Sequence, residues 1–122
     1  MLGRYPDLEI VAAAGDGEEA LEMVKLFQPD ILLCDIRMPK LNGIEVVTHL
    51  KEYSTKTKVI VLTAFSDGDY VLALMQAGVS GYLLKTIDLD ELAQSIRTVF
   101  LGQTVIDPHI AKKLAEVFTK DK

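Results

Sequence analysis

The chain has one cysteine among its 122 residues, which excludes an internal disulfide framework and suits a reducing compartment. It also lacks any apolar run of membrane-spanning length, and its opening MLGRYPDLE lacks the basic-then-apolar order of a secretory signal. No membrane association and a cytoplasmic location are therefore expected. Basic residues are in the minority, 13 Lys and Arg against 18 Asp and Glu, for a net charge of −5. Phosphate contacts need clustered cations, so direct nucleic-acid binding by this chain is not expected. KEYSTKTK (Lys51 to Lys58) and the pair Lys112-Lys113 read as solvated faces. Low-complexity segments are absent too.

What is present describes one globular domain. Apolar residues make up 49% and charged residues 25%, and a chain of this length buries roughly two thirds of its unfolded surface. Four β-rich runs punctuate it: LEIVAAA (Leu8–Ala14), ILLCD (Ile31–Asp35), KVIVLTA (Lys58–Ala64) and GYLLK (Gly81–Lys85). Each is followed by apolar residues at helical spacing. Ala20, Leu21, Val24 and Phe27 form the first stripe, which Pro29 stops. Ile44, Val47 and Leu50 form the second, and Val71, Leu72 and Met75 the third, closed by Gly78. Asp88 is a good N-cap for the fourth, with Glu91 three residues on; Leu92, Ile96, Val99 and Phe100 follow before Gly102.

Strands this apolar belong in a parallel sheet covered by helices on both faces, a doubly wound α/β architecture. Its working crevice lies beyond the carboxyl ends of the strands. In the tail, Asp107 can cap one more helix with Pro108 in its first turn and Ile110, Leu114, Val117 and Phe118 on one face. That helix either lies back on the domain or serves as a linker or partner helix. His49 and His109 read as surface residues, and Cys34, inside an apolar run, as inert packing.

The segment ILLCDIRMPKLNG places an acid at the end of a buried strand, where Pro39 and Asn42-Gly43 prevent regular structure from resuming. A carboxylate there needs solvent, a partner or a metal. Asp35, Thr63 and Lys85 close three successive strands, so a carboxylate, a hydroxyl and an ammonium meet at one rim. Singly, they read as a turn residue, a β-favouring strand residue and a snorkelling lysine. Together they suit a phosphoryl group: the carboxylate as nucleophile, the lysine as countercharge, the hydroxyl as one directed hydrogen bond.

These motifs resemble the receiver domain of bacterial two-component response regulators. DIRMPKLNG is similar to the family's phospho-acceptor segment, VLTA to its Thr-Ala strand end and GYLLK to its aromatic-to-lysine strand. GDGEEAL, AGVSGYLLK and GQTVIDP further resemble the subgroup with a LuxR-type helix-turn-helix output. The resemblance implies a flavodoxin-like fold in which Asp35 accepts phosphate from a sensor histidine kinase. Thr63 and Lys85 would bind phosphoryl oxygens, and Ala64 would leave access and offer its backbone N–H. Tyr82 would be the aromatic switch, and Asp35 and the backbone carbonyl of Arg37 would be ligands of Mg²⁺.

Two departures from the family pattern appear. Thr86 stands where many receivers have proline. The first strand and its acidic pair, which complete the family's Mg²⁺ site, have no counterpart, so Mg²⁺ binding is expected to be weak or absent. The resulting reading is a truncated receiver over residues 1–104 with a C-terminal linker helix over 105–122, four strands visible. LEIVAAA would then close against ILLCD or exchange with another copy, and a homo-oligomer is expected. The parent would be a transcriptional regulator that reaches DNA through an output domain. The alternative is a phosphorylation-independent interaction or dimerisation module. An aspartyl-nucleophile enzyme would want an acid at Arg37, and a cobalamin-binding domain a histidine there, so no enzyme is expected.

Overall fold

The computed structural model describes residues 17–35, 48–50, 56–63 and 78–120; the side chains of Asp35 and of residues 117–120 are not included. The strand expected over Leu8–Ala14, the helical stripe at Val71, Leu72 and Met75, and the positions Arg37 and Ala64 lie outside the described residues. So does most of the stripe begun by Ile44, of which residues 48–50 are described as helical and Leu50 is buried.

Helix α1 spans Gly17–Phe27 and buries Ala20, Leu21 and Val24 of the expected stripe, whereas Phe27, its last residue, is exposed. Glu18 and Glu19 in its first turn and Lys25 in its last complement the helix dipole. It ends in a left-handed residue: Gln28 has φ 48°, and its backbone N–H donates to Val24 O at 2.8 Å. Pro29 follows and cannot continue the helix.

Strands β1 (Ile31–Asp35), β2 (Lys58–Thr63), β3 (Gly81–Leu84) and β4 (Val105–Ile106) form one sheet in that order, every neighbouring pair parallel. Alternation sends successive side chains to opposite faces. Cys34, Val59, Val61 and Tyr82 form one buried cluster with Leu21 and Val24 of α1 and with Leu50. Ile60 and Leu83 form the other with Leu92, Ile96 and Val99 of α2 (Leu89–Phe100); Phe100, expected on the same face, is exposed at the helix end. The sheet is thus covered on both sides, the doubly wound α/β architecture the apolar runs predict and the flavodoxin-like fold the resemblance implies. Asp88 caps α2 as expected, its Oδ1 accepting the Glu91 backbone N–H at 2.9 Å.

Within the segment assigned to a linker helix, the structure differs at one place. Val105–Ile106 is a strand, and helix α3 begins only at Pro108, running to Lys120. The two β-branched residues extend the sheet because the outer edge of β3 still has groups to satisfy. Val105 N–H donates to Ser80 O at 3.0 Å and Asp107 N–H to Tyr82 O at 2.9 Å. Ile110 and Leu114 of α3 are buried in the same cluster as Tyr82, so this helix lies back on the sheet.

Candidate functional site

Because β1, β2 and β3 are parallel, their carboxyl ends lie on one edge of the sheet. Asp35 is the last residue of β1 and pairs with Leu62; Thr63 follows Leu62, ends β2 and pairs with Leu84; Lys85 follows Leu84. The three positions therefore climb one residue per strand across adjacent strands. Two strand spacings, about 10 Å, separate the outer two. The step from Thr63 to Lys85 is fixed by a backbone hydrogen bond, Lys85 N–H to Thr63 O at 3.0 Å. Thr63 is buried, 1% exposed, whereas Lys85 is exposed at the start of the following turn. A group held over this edge would meet an immobile strand end at its centre and a long cationic side chain beside it.

Tyr82 lies one strand from Thr63 and on the same face: it pairs with Val61, two residues before Thr63. It is 3% exposed, and its hydroxyl donates to Val79 O at 2.9 Å in the interior. Burial pushes the phenol up to about 12. The structure seats the side chain in the core.

Among the described residues, no group of three His, Cys, Asp or Glu side chains could hold a metal ion. Asp35 is the only acid among the last residues of the four described strands, and these last residues alone do not make up a Mg²⁺ ligand set. His49 and His109 are exposed, as expected. His109 lies against the cap of α3, its backbone N–H donating to Asp107 Oδ1 at 2.8 Å. The contribution of Ile110 and Leu114 to the cluster around Tyr82 is the feature the sequence left open, because their spacing serves a partner helix equally well. No described helix is long and apolar enough to cross a membrane.

Comparison with known proteins identifies the family. Residues 2–97 match the family model described as the response regulator receiver domain. The transcriptional regulatory protein DegU of Brevibacillus brevis is 38% identical over 120 residues, covering 98% of this chain and 51% of the relative. The oxygen regulatory protein NreC of Staphylococcus aureus (strain JH9) is 34% identical over 122 residues, covering 99% and 56%. The chain thus spans about half the length of the curated relatives it matches. Among solved structures, a LuxR-family two-component response regulator from Aurantimonas sp. SI85-9A1 superimposes with a TM-score of 0.85 at 31% identity, covering 95% of this chain and 83% of that one. The signal receiver domain of the putative response regulator NarL from Mycobacterium tuberculosis gives 0.79 at 30%, covering 84% and 82%. With the family match running over most of its length, the chain belongs to the receiver domains of two-component response regulators, and its homologues are LuxR-type transcriptional regulators.

Proposed function

We propose that Asp35 is the phospho-acceptor and that a phosphohistidine on a sensor histidine kinase is its donor. In the transfer, a carboxylate oxygen of Asp35 forms the new bond to phosphorus, the P–N bond breaks, and the electron pair stays on the imidazole. Lys85 neutralises charge on the phosphoryl oxygens, Thr63 donates its hydroxyl to another, and Ala64 contributes its backbone N–H. Positioning and charge neutralisation are what such transfer needs. The observation that carries this reading is the one-residue staircase of Asp35, Thr63 and Lys85 on three adjacent parallel strands. In receiver domains generally Mg²⁺ accompanies phosphorylation; of its proposed ligands here, Asp35 ends β1 and the Arg37 carbonyl lies outside the described residues.

In this reading the acyl phosphate draws Thr63 toward the new charge and Tyr82 responds on the same face, as the switch. The parent protein is a cytoplasmic transcriptional regulator, its DNA contacts made by an output domain and its active form a homo-oligomer. The test is incubation with acetyl phosphate and Mg²⁺, followed by intact mass. One phosphoryl adduct is expected on the native chain and none on Asp35→Ala. An adduct that survives Asp35→Ala would refute the assignment.

A further inference from the structure

We propose that the outer edge of β4 is a self-association surface, along which a second copy of this chain adds its own β4 in antiparallel direction. The proposal gives an interface to the homo-oligomer read above and does not depend on the role of Asp35. β4 ends the described sheet, and no described strand pairs with its outer side. Its inner side is taken up by β3: Val105 N–H donates to Ser80 O at 3.0 Å and Asp107 N–H to Tyr82 O at 2.9 Å. The main-chain groups of alternate residues point to opposite sides of a strand, so those of Thr104 and Ile106 face outward. The side chain of Val105 packs against one apolar layer and that of Ile106 against the other. The edge is therefore preformed, and pairing along it orders little new backbone.

Composition decides the occupant. Sheets blunt a free edge with charge, proline or a bulge. From Thr98 to Ile106 the run TVFLGQTVI carries neither a charge nor a proline. Within it, Phe100 and Leu101 at the end of α2 are 58% and 77% exposed. A charged partner finds no counterion along this strip. Two copies, each with a net charge of −5, repel one another least where neither carries charge. A two-fold axis at Val105 sets Thr104 opposite Ile106 of the second copy, so that the N–H of each meets the C=O of the other. The covering helices leave room for this: α3 contacts β3, while α2 reaches both β2 and β4. Three strand spacings, about 14 Å, then separate the two β3 strands, more than the roughly 8–10 Å that neighbouring helices need.

Sedimentation velocity on the full chain over a concentration series, with amide exchange on the same samples, tests this, both with and without acetyl phosphate and Mg²⁺. A monomer–dimer equilibrium is expected, tightening as salt screens the net charge, with the Thr104 and Ile106 amides slowing as the dimer fills. Thr104→Pro removes one outward donor from each copy and keeps the Val105 bond to β3; Leu101→Glu brings like charges into the strip. Each is expected to weaken association at least about tenfold. Leu26→Glu on α1, equally exposed at 73%, leaves it unchanged. A dimer indifferent to Thr104→Pro and Leu101→Glu, or one in which the Thr104 and Ile106 amides stay unprotected, would overturn the β4 edge and leave the homo-oligomer standing. A monomer under every condition would overturn both, while the Asp35 adduct, read by mass, stands or falls separately.

Discussion

Tyr82 carries a polar hydroxyl into the interior and satisfies it on Val79 O, so its proton is part of the fold. The unfolded chain ionises this phenol near pH 10, whereas the folded chain keeps it protonated up to about 12. The resulting stabilisation is complete below pH 10, declines as pH rises from 10 to 12 and is gone above that. It amounts to roughly 2–3 kcal/mol. Tyr82→Phe removes the titration and, at neutral pH, costs about 1 kcal/mol through the unsatisfied carbonyl. Urea unfolding should therefore find the native chain more stable at pH 7, with the two stability curves crossing between pH 10 and 12. Parallel curves would mean that the hydroxyl is solvated.

At the scale of the element, β2 and β3 approach closely at Gly81. A Cβ built on Gly81 would lie 2.9 Å from Cγ1 and 3.1 Å from Cγ2 of Ile60, its register partner, which is wholly buried. Gly81→Ala should cost about 1–3 kcal/mol by overpacking, and Ile60→Val in the same chain should recover part of it. Denaturant midpoints of the single and double variants check this. Gly81 could be read from sequence only as the start of a strand, because what it avoids comes from another segment. The strands at Ile31, Lys58 and Gly81 were legible because apolar runs bounded by turn residues are a local signal, and Asp88 because capping is local too. Val105–Ile106 was not: two residues are too few for any period, and only the unpaired edge of β3 makes them a strand. The candidate site was legible in outline for the same reason as the strands, since Asp35, Thr63 and Lys85 each end an apolar run. The one-residue stagger between them is a matter of register, which no single run encodes.

Across the whole molecule, one sheet supports two apolar layers, with Cys34 in the layer beneath α1 and α3 and Ile60 in the layer beneath α2. If the layers unfold together, damage to one must be felt in the other. Ile60→Ala should cost about 2–5 kcal/mol and speed alkylation of the buried Cys34 thiol by more than about tenfold, although the two side chains lie on opposite faces. Unchanged labelling would mean that the faces open separately. The described strands also contain no hairpin: each pairs in parallel with a segment reached only through a crossover. Closing such long loops before any contact rewards them makes for slow folding. On the ribosome, the layer begun by Leu21 must then wait, its greasy side uncovered, until the segment bearing Ile110 and Leu114 has been synthesised.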